Sequence, residues 1–126
     1  MRILTWLGAT AFVFALPVST QAAGDPARGK AAFSQCAACH AVEPSANRVG
    51  PSLAGVFGRK KGSAAKFSYS SDLAAAGGTW DDKSLDAFLT DPKAAYPKAK
   101  MFLKVANPQT RADLVAYLKT LKPAAK

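Results

Sequence analysis

Two cysteines and one histidine, the only residues of either type in the chain, stand together in Cys36-Ala37-Ala38-Cys39-His40. Thiols at i and i+3 lie on one side of a helical turn, the spacing needed to form thioethers with the two vinyl groups on one edge of a haem. The adjacent histidine then falls where an imidazole nitrogen can reach the iron. Other uses of the pattern fit less of the chain. A thioredoxin-like dithiol belongs on a βαβ frame, and no strand alternation is visible. A structural zinc needs about four ligands, more than two Cys and one His supply. A disulfide across so short a loop would stabilise little. The motif therefore points to covalent haem attachment through Cys36 and Cys39, with His40 on the iron.

An iron-bound histidine usually donates its other N–H to a carbonyl or carboxylate, which orients the ring and raises its basicity. The carbonyl of Pro51, just beyond Gly50, is the candidate acceptor. For the sixth position of the iron, elimination nominates Met101, since Met1 is the only other methionine. Lys98, Lys100 and Lys104 are alternative donors close by, and a methionine filling a core gap is the ordinary structural use. Met101, however, sits in a Pro- and Lys-rich stretch and not on a helix face. A thioether raises the potential of a haem, and a six-coordinate iron leaves no vacancy for substrate, so a one-electron carrier is expected and not an enzyme. The competing readings are a peroxidase-like haem enzyme or gas-binding sensor with a labile sixth ligand, and a basic binding module in which haem is only structural.

The elements that must position these residues are short. Asp25-Pro26 is an N-cap followed by proline at the first helical position, and a helix of about three turns is expected to run into the cysteine motif. From 41 to 68 the chain is rich in Gly, Pro, Ser and basic residues and has no helical or strand period. So long a loop in a small domain suggests that it wraps something other than protein. Ser70 or Ser71 can cap a short helix over 72–76, stopped by Gly77-Gly78. Asp81 can cap a longer one carrying Leu85, Phe88 and Leu89, ended ahead of Pro92. A second loop is expected over 91–106. Asn107-Pro108 then opens a helix whose apolar stripe, Leu114, Val115, Tyr117, Leu118 and Leu121, continues to Pro123.

Residues 1–23 stand apart from this pattern. Arg2 precedes an apolar run from Ile3 to Val18 and a small-residue exit at Ala22-Ala23, which reads as a cleaved export signal, leaving one domain over 24–126. No later stretch is apolar enough to span a bilayer, so a mature protein in the periplasm without stable membrane insertion is expected. Losing the leader removes Arg2 alone, and the net charge of +9 becomes +8. Such a charge steers a protein toward anionic surfaces, and export makes nucleic acid the least suitable of them.

Taken together, these residues resemble the class I cytochrome c family, in particular its mitochondrial and bacterial cytochrome c2 type. The similarity runs from Gly29-Lys30 to Leu121. It rests on the C-x-x-C-H motif, the run from Gly50-Pro51-Ser52-Leu53 to Phe57-Gly58-Arg59-Lys60, Phe67-Ser68-Tyr69-Ser70, Gly78-Thr79-Trp80, Tyr96-Pro97-Lys98-Ala99-Lys100-Met101, and Arg111 to Leu118. The resemblance implies an all-α fold, three to five short helices around one haem c, with Gly29 and Phe33 of the first helix crossing Leu114 and Tyr117 of the last. It also implies that Arg59, Tyr69 and Trp80 contact the haem propionates. Monomeric shuttling is implied between acidic faces of membrane redox complexes, with a bc1-type donor and an oxidase or reaction-centre acceptor. Lys30, Lys93, Lys98, Lys100 and Lys104 would rim the exposed haem edge.

Some positions depart from the family pattern. Lys98 and Ala99 stand where relatives have Gly and Thr, removing a flexible residue and a hydroxyl from the segment before Met101. Phe88, Leu73 and Leu103 replace Tyr, Asn and Phe, and Gln35 stands where relatives often carry Lys.

Overall fold

The computed structural model describes residues 11–17 and 23–123. Most of the expected leader, 1–23, lies outside the described residues. Its described stretch 11–17 has no regular structure, and Phe12, Val13, Phe14 and Leu16 are exposed.

Among the described residues the fold is all-α. α1 (Pro26–Ala32) runs into a 3-10 turn at Phe33–Gln35, and is followed by α2 (Ser71–Ala74), α3 (Asp82–Thr90), α4 (Pro92–Ala95) and α5 (Pro108–Thr120). The caps follow the local sequence. Asp25 accepts the N–H groups of Ala27 and Arg28, Asp81 forms a reciprocal cap with Ser84, and Asn107 accepts Thr110 N–H. Each satisfies donors that the first helical turn would otherwise leave unpaired.

Two expectations need correction. The segment 91–106 is not all loop, because α4 occupies its start. Asp91 ends α3 and at once caps α4, accepting from Lys93 and Ala94 N–H, with Pro92 at the first helical position. Proline stopped one helix and opened the next, and only the stop was expected. Further, Ser70 precedes α2 without capping it. Its hydroxyl donates instead to the Asp72 carboxylate at 2.7 Å, and α2 ends at Ala74, short of the expected 76.

α1 crosses α5 at close range. A Cβ at Gly29 would collide with the backbone carbonyl of Asp113, so only glycine allows this approach. One turn on, the Phe33 and Tyr117 rings meet at 5.3 Å between centroids. Asp113, buried in the crossing, accepts Asp25 N–H (2.8 Å), Arg28 Nε–H (2.9 Å) and Gln109 Nε2–H (3.1 Å). Phe33, Leu114 and Leu118 join Leu85 and Leu89 of α3 in a single core with Val56, Leu73 and Trp80.

The long 41–68 segment is held by scattered backbone bonds in place of a helix or sheet. Gly50 N–H donates to Cys39 (2.7 Å), Leu53 N–H to Ala41 (2.9 Å), and Gly58 and Trp80 N–H to Trp80 and Arg59 carbonyls (2.7 and 3.0 Å). Among the described residues, an isolated antiparallel bridge pairs Lys60 with Thr79.

Candidate functional site

The helices and the long loop enclose a mostly apolar cavity of about 380 Å³. All eight residues singled out in the sequence line it: Cys36, Cys39, His40, Pro51, Arg59, Tyr69, Trp80 and Met101. The turn after α1 presents the two cysteines, neither in a disulfide, and burial pushes the Cys36 thiol up. A second cavity of about 470 Å³, behind the loop 44–65, shares only Arg59 with the first.

His40 is fixed by its neighbours. Its Nδ1 lies 2.8 Å from the Pro51 carbonyl, which can only accept, so the proton sits on Nδ1 and Nε2 keeps its lone pair. A Cβ at Gly50 would collide with the imidazole, so the ring lies directly on glycine backbone. Burial lowers the imidazole's pKa, and the Arg59 charge adds to this against the bond to Pro51. The neutral ring, the form able to ligate a metal, is favoured.

Met101 closes the cavity as part of the segment after α4. That segment turns through an Ala99 N–H to Tyr96 carbonyl bond of 2.8 Å and buries Ala99 to 1% exposure. Phe88 and Leu73, two of the departures, also line the cavity, and Phe88 packs with Trp80 and Tyr96 at 5.2 and 6.0 Å between centroids.

Arg59 donates through Nη1 to the carbonyls of Ser52 (2.9 Å) and Ala54 (3.0 Å), while its Nε is buried with no protein partner. An orphaned guanidinium nitrogen facing an apolar cavity calls for an anionic acceptor. The Tyr69 hydroxyl oxygen accepts Ala64 N–H at 2.9 Å, a bond that does not use its own O–H donor. Trp80 is buried. Two thiols at the right spacing, a neutral imidazole, a thioether and an unsatisfied cation make a donor set that fits haem c.

Two supporting residues escaped the sequence analysis. Asn47 accepts Ser52 N–H (3.0 Å) and donates to the Ala65 carbonyl (2.8 Å), pinning the loop that carries Pro51 to the far loop. Asp72 reaches the Met101 segment. Their partners lie up to 18 and 26 residues away, and no local pattern marks either.

Comparison with known proteins settles the family. The model of the family described as Cytochrome c matches residues 26–122. The chain belongs to the cytochrome c family. Within it, cytochrome c2 of Rhodomicrobium vannielii is 47% identical, with 81% of this chain and 83% of that one covered. Cytochrome c2 of Rhodopseudomonas palustris is 39% identical over 96% of this chain and 98% of its own. Among solved structures, cytochrome c2 from Rhodospirillum centenum aligns with a TM-score of 0.73 at 42% identity, covering 79% of this chain and all of the other. Cytochrome cH from Methylobacterium extorquens gives 0.72 at 44% identity, covering 77% and 99%. The cofactor of this cytochrome c is one covalently attached haem c. Among the described residues no helix is long and apolar enough to cross a membrane.

Proposed function

We propose that this cytochrome c is an exported one-electron carrier whose haem is attached at Cys36 and Cys39 and ligated by His40 and Met101. The supporting observation is that an imidazole with a free Nε2 and the thioether of Met101 line one apolar cavity beside both cysteines. When bound, haem supplies a one-electron ferric/ferrous couple, its potential raised by a Met ligand. Pro51 holds the His40 proton at Nδ1 and so raises the basicity of Nε2. Arg59 offers its unpaired Nε to a propionate, and Tyr69 and Trp80 line the same cavity. Leu73, Phe88 and Leu89 exclude water, which favours the less charged ferrous state.

The proposed partners are acidic faces of membrane redox complexes in the periplasm, a bc1-type donor and an oxidase or reaction-centre acceptor. The protein acts as a monomer without membrane insertion and is not itself an enzyme. Lys30, Lys93 and Lys98 are exposed and form no ion pair among the described residues, so they remain available to a partner. Lys104 is paired with Asp91 at 2.9 Å, and Lys100 donates to the Ser68 carbonyl at 2.9 Å, which leaves a smaller rim than the five lysines expected.

A redox titration with absorption spectra of both states tests the reading. The ferric protein should show the thioether–iron band, the M101A variant should lose it and drop in potential, and the ferrous form should resist carbon monoxide at neutral pH. Ready carbon monoxide binding by the unaltered protein would instead indicate the peroxidase-like or gas-sensing alternative.

A further inference from the structure

The segment carrying Met101 is tied at two points to the chain that enters α2. Asp72 Oδ2 accepts Lys98 N–H at 2.8 Å, and Lys100 Nζ donates to the Ser68 carbonyl at 2.9 Å. Its partners, Ser68 to Asp72, form the entry to α2 and lie 26 and 32 residues from the segment in sequence.

Asp72 is itself held rigid. Its other oxygen, Oδ1, accepts the Ser70 hydroxyl at 2.7 Å and Leu73 N–H at 2.9 Å, which explains why Ser70 is not free to cap α2. Leu73, the next residue, is anchored in the core. A carboxylate fixed on a buried anchor and bonded to the backbone three residues before Met101 limits how far that segment can swing outward. The bond is charge-assisted, about twice as strong as a neutral one, and a backbone donor keeps it independent of the Lys98 side chain.

We propose that Asp72 is a positioning residue for Met101: its bond to Lys98 N–H, seconded by the Lys100–Ser68 bond, holds the 96–101 segment against the cavity and sets how readily the thioether leaves the iron. The proposal rests on Met101 being the sixth ligand. Opening of the segment has to break these two bonds before an outside ligand can enter. They act as a latch on the closed form, and their loss shifts the population toward the open one.

The test is imidazole binding to the ferric, haem-loaded protein at neutral pH, followed by loss of the thioether–iron band, alongside denaturant unfolding. For D72A the apparent imidazole affinity should rise about tenfold, the equivalent of one charge-assisted hydrogen bond lost from the closed form. D72N keeps an acceptor without the charge and should fall between D72A and the unaltered protein. K100A should give a smaller rise that combines with that of D72A. An unaltered imidazole affinity in D72A, with the band intact, overturns the proposal. So does a rise that is matched in D72N and in a destabilised core variant such as L118A, because the effect would then follow overall stability. Absence of the band from the unaltered protein, with imidazole binding unaffected by M101A, would overturn the ligand assignment itself and is distinguishable from both.

Discussion

Gly50 has no side chain, and this is what allows the His40 ring to lie on its backbone while Nδ1 reaches the next carbonyl, that of Pro51. A methyl group there must push the ring, the loop or both. The G50A variant is expected to lose about 1–3 kcal/mol of stability, as overpacking of a tight contact does, and to lower the yield of haem-loaded protein. Denaturant unfolding of the loaded variant and its haem absorbance per mole of protein would check this. A variant as stable and as well loaded as the parent would mean that the ring has room that the structure does not show. The same residue scale explains what was legible. Cys36, Cys39 and His40 fall within five residues, so their chemistry is written locally. Asn47 and Asp72 act on partners distant in sequence, and an Asn or Asp in a loop reads as ordinary turn chemistry.

At the scale of elements, the crossing of α1 and α5 is organised around one buried carboxylate. The Arg28 guanidinium, Asp25 N–H and Gln109 amide hold the Asp113 carboxyl far below the usual carboxylate range. A carboxylate whose folded pKa is depressed contributes stability above its unfolded value, about 3.9, and that contribution is lost as pH falls below it toward the folded value. Thermal unfolding of the parent should therefore drop in Tm as pH goes from about 4 toward 2. D113N should unfold at lower temperature at neutral pH but decline less steeply over that acid range. Asp81, held low by Ser84 N–H, and Asp91, held low by Lys104, respond in the same direction, so the slope flattens without vanishing. Parallel Tm curves for the two proteins would refute this role. The crossing itself was foreseen through the resemblance, with Gly29 and Phe33 named against Leu114 and Tyr117. Helix α4 was not, because Asp91-Pro92 carries a stop and a start in the same two residues.

Across the whole molecule, charge is distributed unevenly between paired and unpaired groups. Arg28, Lys104, Arg111 and Lys119 meet Asp113, Asp91, Asp86 and Asp82, while Lys30, Lys93 and Lys98 have no acidic partner among the described residues. The two more exposed pairs, Lys104–Asp91 and Lys119–Asp82, contribute little to stability, about 0–1 kcal/mol each, but all four take cations out of the field that a partner meets. Reduction by a bc1-type complex, measured by stopped flow, should slow about tenfold or more as ionic strength rises from about 0.01 to 0.15 M, where the screening length falls from about 30 to 8 Å. A rate that hardly responds to salt would remove the acidic-surface partner.

The sequence by itself pointed to a covalent haem and to Cys36, Cys39 and His40 as the residues proposed to hold it, because attachment needs only residues adjacent in the chain. Through periodicity and caps it also determined most of the helices, since those signals repeat within a turn or two. Only the tertiary structure decided which side chains support the proposed ligands. Hydrogen-bond partners such as Asp72 with Lys98, Asn47 with Ala65 and Asp113 with Asp25 are brought together by burial of the core, and chain separation leaves no trace of them. The orphaned Nε of Arg59 belongs to the same class: an unsatisfied donor exists only once folding has removed the water that would have satisfied it.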